Sequence, residues 1–370
     1  MLFLRLGTTA FGGPAAHIAM MEDEVVRRRR WVTRERFLDL LGATNLIPGP
    51  NSTEMAIHIG HHEAGWTGLL VAGACFILPA SLMTLALAWA YVRFGTRPEA
   101  EALLYGVKPV IIAVVVQALW GLGRTAVKTV PLAVLAALAV AASALGVNEL
   151  VVLLGAGVAA VIIHAVDAPG RSLRLGVWSS GLVPVAAGGA VGVTPFSLTG
   201  LFLFFAKVGA ILFGSGYVLL AFLRADLVDH WHWLTDRQLL DAVAVGQITP
   251  GPVFTTATFV GYLLGGVPGA TLATVGIFLP AFFFVAISGP VIPRLRRSPT
   301  AGAFLDGVNV GSLALMAVVT FSLGRAAVVN VATLLFAVTS AVLLLGLRVN
   351  SVWLVLGGAL IGFVFASFGR

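Results

Sequence analysis

The sequence predicts an all-α polytopic membrane protein made of two repeats of inverted topology, each with about five spans and one re-entrant broken helix. Three observations predict it. The 370 residues are 59% hydrophobic and only 11% charged, with a mean hydropathy of +0.99, against roughly 25% charged residues in soluble domains. The second half repeats the first at an offset of about 202 residues. Each half also interrupts an apolar segment with Pro-Gly-Pro, at Pro48-Gly49-Pro50 and at Pro250-Gly251-Pro252.

Apolar runs longer than the roughly 20 residues needed to cross a bilayer recur from end to end, leaving no stretch for a soluble domain. The first begins at Met1 without a basic run before it or a cleavage site after it, so it is expected to belong to the mature fold. Cys75 is the single cysteine, which excludes an intrachain disulfide. The net charge of +7 comes mainly from loop arginines; in a membrane protein it reflects loop orientation rather than nucleic-acid binding. No glycine-rich loop ending in Gly-Lys-Ser/Thr is present, so neither ATP hydrolysis nor a cofactor is expected.

At the offset of 202, Gly7 falls on Gly209, Phe11-Gly12 on Phe213-Gly214, Trp31 on Trp233, Asp39 on Asp241, and one Pro-Gly-Pro on the other. A one-residue deletion shifts the offset to 201, where Gly60 meets Gly261, Leu78-Pro79-Ala80 meets Leu279-Pro280-Ala281, and Leu122-Gly123-Arg124 meets Leu323-Gly324-Arg325. A register held this long marks a duplication. It divides the chain into a first repeat at 1–170, a linker at 171–195 and a second repeat at 196–370. Apolar elements are expected near 1–21, 36–59, 66–92, 102–123, 130–147 and 149–166, then near 197–222, 238–261, 267–293, 303–323, 326–347 and 350–369.

Lysine and arginine orient these elements. The loop at 27–36 carries six arginines, and its mate carries only Arg224 and Arg237 beside three aspartates. If the broken element of each half re-enters, five crossings remain, and an odd number inverts the second half. Fourteen Lys and Arg then fall inside and six outside, with Arg5, Lys108 and Lys207 in apolar elements. That bias obeys the positive-inside rule. The same rule tolerates an apolar linker near 182–193 in or on the membrane.

The runs Phe11-Gly12-Gly13-Pro14-Ala15-Ala16-His17, Glu22-Asp23-Glu24-Val25-Val26 and Asn45 through Glu54 resemble the first domain of the chromate ion transporter family. Lys207-Val208-Gly209-Ala210, Phe213 through Leu219, Gln247 through Pro252 and Phe278-Leu279-Pro280-Ala281 resemble its second domain. The resemblance covers nearly the whole chain, as in the two-domain long form. It implies a multi-pass protein of a bacterial inner membrane that exports chromate, with sulfate as a close analogue, and so confers chromate resistance. It does not imply an enzyme.

The residues themselves are compatible with that. A tetrahedral dianion leaving water needs several donors and positive charge or helix N-termini. Gly49, Asn51, Ser52 and Thr53 in one half and Gly251, Thr255 and Thr256 in the other lie at and just beyond the breaks, where free amides and hydroxyls would reach an anion. Asn45 and Gln247 approach the breaks from the other side, and Gly12, Gly13, Gly214, Ser215 and Gly216 offer backbone without bulk. Arg5 and Lys207 align at the offset, so a cation in each half is placed to flank the anion. Lys108, opposed by Asn309, reads as lying near a helix end.

Coupling or gating candidates are Glu54, which has no acidic mate, His17, and the aligned pair Asp39 and Asp241, whose positions also suit capping of a first turn. Two other classes stay open. His58, His61, His62 and Glu63 offer metal-ligand spacing for a membrane enzyme, though the mate of this cluster has no ligand; no metal is assigned. A passive oxyanion channel, or a carrier whose substrate is sulfate, would use the same donors. The sequence does not choose between a monomer and a homodimer.

Overall fold

The computed structural model describes residues 1–11, 13–95, 97–167, 195–213, 216–296, 298–347 and 349–368. The linker, apart from its last residue, lies outside them. The first apolar stretch, expected as one element, is two helices, α1 (Leu2–Thr9) and α2 (Gly13–Glu22), with a π-helical turn Asp23–Arg28 continuing α2. The chain doubles back between them. Glu24 forms an ion pair with Arg5, residues that a straight helix would hold about 28 Å apart.

Helix α3 (Arg34–Thr44) starts at Thr33, whose hydroxyl accepts the amide of Arg36 at 3.2 Å. Pro48-Gly49-Pro50 prevents it from continuing. The chain resumes as α4 (Asn51–Phe94), whose two arms are separated by a kink at Ala64 and Gly65, where Gly65 takes a left-handed φ of 58°. The arms pack side by side: a Cβ on Gly60 would run into the carbonyl of Gly68 and into Ala72. Three helices complete the half: α5 (Pro98–Ala126), opened by Pro98; α6 (Val130–Ala144), capped by Thr129; and α7 (Glu149–Asp167).

The second half repeats the plan. Helices α8 (Leu198–Ile211) and α9 (Leu219–Phe222) are followed by a π-helical segment Leu223–His230, and the fold-back is closed by Lys207 and Asp226. Phe196 against Trp233 and Phe204 against Trp231 bring both ends of this hairpin together. Helix α10 (Asp236–Ile248) begins with reciprocal bonds between Thr235 and Gln238. After the break, α11 (Thr256–Arg296) kinks at Gly265 and Gly266 and bonds its arms through Thr258 and Thr274 at 2.7 Å. The half is completed by α12 (Pro299–Ala327), α13 (Val331–Leu345), capped by Asn330, and α14 (Ser351–Phe368).

Two expectations are corrected here. Thr33 and Thr235 are the caps, so Asp39 and Asp241, in the second turn of their helices, do not cap them. Lys108 lies within α5, ten residues from its start, not at a helix end.

The halves interlock through small residues, which let backbones approach closely. Gly106 of α5 packs on Gly358 and Gly362 of α14, and its mate Gly307 of α12 packs on Ala156 and Ala160 of α7. One continuous core therefore draws on both halves, with Ile111, Val115, Phe205, Phe259 and Val308 in a single cluster. Among the described residues, five helices or helical stretches are long and apolar enough to cross a membrane, and four shorter apolar helices accompany them. Trp89, Trp120 and Trp353 are exposed near helix ends and Trp66 beside the kink of α4, positions that suit an aromatic belt.

A Cβ at Gly106 would collide with the carbonyl of Gly358, whereas one at Gly121 meets nothing. Gly106→Ala is therefore expected to lower the melting temperature in detergent, at a cost of about 1–3 kcal/mol from overpacking. Gly121→Ala is expected to leave it unchanged or raise it slightly.

Candidate functional site

Proline leaves residues 48, 50, 250 and 252 without an amide, so each break has one N–H to satisfy, that of its glycine. Each is satisfied by the other half. Gly49 N donates to the carbonyl of Leu212 at 2.8 Å, and Gly251 N donates to the carbonyl of Ala10 at 2.9 Å. Leu212 and Ala10 end α8 and α1, and they are mates at the same offset as the two glycines. Both glycines have positive φ, 138° and 94°. Gly251 lies against Ala80 of α4, and Gly49 against Ala281 of α11, again mates.

The two breaks thus meet at one place. Between them lies a cavity of about 10 Å³ lined by Pro14, Pro50, Asn51, Ser52, Gly216 and Phe254 among others. That is room for about one water. Helix α4 starts there, with the carbonyl of Pro50 accepting the amides of Thr53 and Glu54 and the positive end of its dipole at Asn51 and Ser52.

Of the donors expected from sequence, Asn51 and Asn45 are joined across the first break at 2.9 Å. Thr53 Oγ1 is buried without a partner. Gln247 accepts the hydroxyl of Tyr217 through Oε1 at 2.9 Å, while its Nε2 is buried and unpartnered. The hydroxyls of Thr255 and Thr256 donate to the carbonyls of Pro252 and Val253, both at 2.8 Å, rather than into the cavity. Gly13 opens α2 with φ 76°, and Gly216 lines the cavity. Gly12, Gly214 and Ser215 lie outside the described residues.

Arg5 and Lys207 do not line the cavity. Each pairs with an acid, Arg5 with Glu24 and Lys207 with Asp226 at 2.6 Å, and each is about 8 Å along its helix from the carbonyl that receives the opposite glycine. Arg28 and Arg29 also reach Glu24, at 3.3 and 3.4 Å. Burial pushes the Glu24 carboxyl up, but hydrogen bonds from Arg5 and Arg29 and the charges of Arg5 and Arg28 outweigh it and hold Glu24 below the usual carboxylate range. Glu24 and Asp226 are themselves mates, a signal present in the sequence that the alignment of cations alone passes over.

A second cluster joins two residues that the sequence singles out separately, Asp241 and Lys108. Asp241 is fully buried, accepts the hydroxyl of Tyr91 at 2.8 Å, and stands 3.0 Å from Lys108 Nζ in an ion pair without hydrogen-bond alignment. Thr84, two turns along α4 from Tyr91, meets Thr249 beside the second break at 3.5 Å. Asp39 is exposed.

Three acid–base candidates are gathered in the first half. His17 is buried against Phe76 with Nε2 3.0 Å from the Ala10 carbonyl that Gly251 also reaches, so Nε2 carries the proton. Glu54 is buried beside Gly49 with both oxygens unpartnered. His58 is buried, whereas His61, His62 and Glu63 are at least partly exposed at the end of the arm, with His62 Nδ1 3.2 Å from Glu63. Among the described residues, no group of three His, Cys, Asp or Glu side chains stands close enough to hold a metal ion.

A multi-pass helical protein whose two broken helices meet around a small cavity has the construction of a membrane transporter. The sequence profile described as chromate transporter matches residues 1–161 and 199–363, and the chain belongs to the chromate transporter family. It is 36% identical to a chromate transport protein of Cupriavidus metallidurans over 98% of this chain and 92% of that protein. It is 31% identical to a probable chromate transport protein of Synechococcus elongatus (99% and 94% covered) and 33% identical to a chromate transport protein of Pseudomonas aeruginosa (87% and 80%). No solved structure matches the chain.

The two equivalent pairs, Lys207 with Asp226 and Arg5 with Glu24, make one expectation each. In a double-mutant cycle of thermal stability, Lys207→Ala and Asp226→Ala are expected to couple by about 0.5–3 kcal/mol. Because Glu24, the mate of Asp226, is held ionised in the folded state, its share of stability is full at neutral pH and is lost as pH falls through its lowered value. Glu24→Gln is expected to flatten that acid limb of the melting-temperature profile.

Proposed function

We propose that this chain exports chromate, with sulfate as a competing analogue, across the inner membrane of a bacterium as a secondary transporter, and thereby confers chromate resistance. The observation that carries the reading is the reciprocal pair of bonds from Gly49 to Leu212 and from Gly251 to Ala10, which bring both breaks to one cavity. In this reading the dianion is held by the amides of Asn51 and Ser52 and the side chains of Asn51, Ser52 and Thr53 at the start of α4, with the free Nε2 of Gln247 approaching once the breaks part and release the amides of Gly49 and Gly251. A tetrahedral oxyanion is larger than a cavity of about 10 Å³, so the conformation described is closed and the breaks must part to admit it. With the inside negative, outward movement of the anion is favourable by about 2.3 kcal/mol per charge at about 100 mV, so the membrane potential is sufficient to drive export.

The two repeats are taken to be inverted. The doubling back of α1 on α2 and of α8 on α9 removes the first apolar element of each half from the count of five spans, so the odd number of crossings no longer supports inversion. Contacts support it instead. Arg237 bonds Glu101 at 2.8 Å and Tyr105 bonds Asn330 at 3.0 Å, joining the start of α5 to the start of α10 and to the turn after α12, regions that the charge bias puts outside. Lys128 bonds Asp306 at 2.7 Å, joining regions that it puts inside.

Radiolabelled chromate and sulfate flux in proteoliposomes, with potential and pH gradient imposed separately, tests the function; absence of chromate flux under both would overturn it. Asn51→Ala and Gln247→Ala are expected to weaken chromate binding by about 1.5–3 kcal/mol each, the worth of a hydrogen bond to a charged group. Lys207→Ala is expected to leave affinity unaltered. With Cys75 replaced, cysteines placed at Arg30 and His230 should react with impermeant reagents from opposite faces; labelling from one face would refute inversion.

A further inference from the structure

The two halves share their breaks but differ in the ionisable groups around them. Glu54 is answered in the second half by Thr256, and His17 by Leu219. Glu54 is 0% exposed, and neither carboxylate oxygen has a hydrogen-bond partner. One turn further along the same arm, His58 is 7% exposed with Nε2 unpartnered. Residues four apart lie one above the other on a helix, and the arm is helical from Asn51 to the kink at Ala64. The next positions on that face are His61 and His62, which reach the surface beside Glu63.

The neighbouring charges are few. Among the described residues, none forms an ion pair or side-chain hydrogen bond with Glu54, which lies beside Gly49, itself against Ala281 of α11. His58 is faced by Arg36 from α3 and by His61 from its own arm. Ionisable groups therefore run from the surface to the first break in steps of about one helical turn, and the last of them is a buried carboxylate without a partner. A core histidine kept only for packing would have its ring nitrogens satisfied, and a structural carboxylate would have a cation or amide; neither condition is met.

We infer that this arm of α4 is a proton route, with Glu54 as the proton acceptor beside the anion site and His58, His61 and His62 as the relay from the surface. The inference rests on the reading that a dianion passes through the breaks. An ionised Glu54 would repel that dianion. A proton passing from the His58 imidazolium to the Glu54 carboxylate leaves a neutral acid and a neutral imidazole, and His58 is then recharged from His61 or His62. Anion binding and protonation of Glu54 consequently favour each other, and by linkage each strengthens the other equally.

The test uses the full chain in proteoliposomes and dicyclohexylcarbodiimide, a lipid-soluble reagent for protonated carboxyls, with labelling of Glu54 read on its peptide and Glu54→Gln as the blank. Acidifying the face that carries His61 and His62 is expected to increase labelling; acidifying the other face alone is expected to leave it unchanged. His58→Phe should abolish the response to the first face, and the exposed double variant His61→Ala, His62→Ala should do the same if His58→Phe fails to insert. Chromate added at fixed pH should raise labelling. Equal response from both faces, no labelling at any pH, or an unchanged response in the histidine variants overturns the route. Labelling needs no transported anion, so a protein that labels as expected but carries no chromate would overturn the transport reading and leave the route standing.

Discussion

A backbone amide with no partner is costly in hydrocarbon, and a Pro-Gly-Pro break creates one that no helix can accept. Here that amide belongs to Gly49 and to Gly251, and each is answered by the last carbonyl of the opposite half's first helix. Neither break is satisfied within its own half. The two halves must therefore be assembled before either break is stable, and that requirement shapes the rest of the structure: the first stretch of each half doubles back to present a helix end, and the long helices interlock around the junction. Small residues at Gly106, Gly307, Gly358 and Ala156 allow the approach that the exchange of bonds demands.

Duplication makes the junction, and divergence equips it. The structural pairs are kept in both halves: Arg5 with Glu24 and Lys207 with Asp226 hold equivalent hairpins closed, Gly65 and Gly266 turn equivalent kinks, and Ala80 and Ala281 floor opposite breaks. Among the described residues, the buried ionisable groups left with an unpartnered atom are not duplicated. Glu54, His17 and His58 all belong to the first half, and Asp241 of the second half is met by Lys108 and Tyr91 of the first. A repeated frame with one-sided acid–base groups gives the surroundings of the two breaks different chemistry.

Most of the frame was legible in the sequence, because membrane burial writes itself in composition and duplication in register. The Pro-Gly-Pro breaks, the helices beyond them and the pairing of Arg5 with Lys207 as equivalent positions could all be read from residues. The doubling back of the first apolar element could not, since hydropathy measures whether a segment suits lipid and not whether it crosses. The side-chain partners were equally hidden. Thr255 and Thr256 looked like ligand donors and bond their own backbone, Asp241 looked like a cap and is a buried ion pair, and Lys108 looked like a helix end and lies within α5.

The sequence by itself determined that this is a duplicated helical membrane protein of the chromate transporter family, because composition, period and motif are properties of the chain that folding does not alter. Only the tertiary structure decided which cations are already paired and which carboxylate is left bare. The difference is physical: a charge near another in sequence is paired or not according to where helices fold back and cross, and the bonds that matter most here join residues 49 to 212 and 251 to 10, which no local pattern connects.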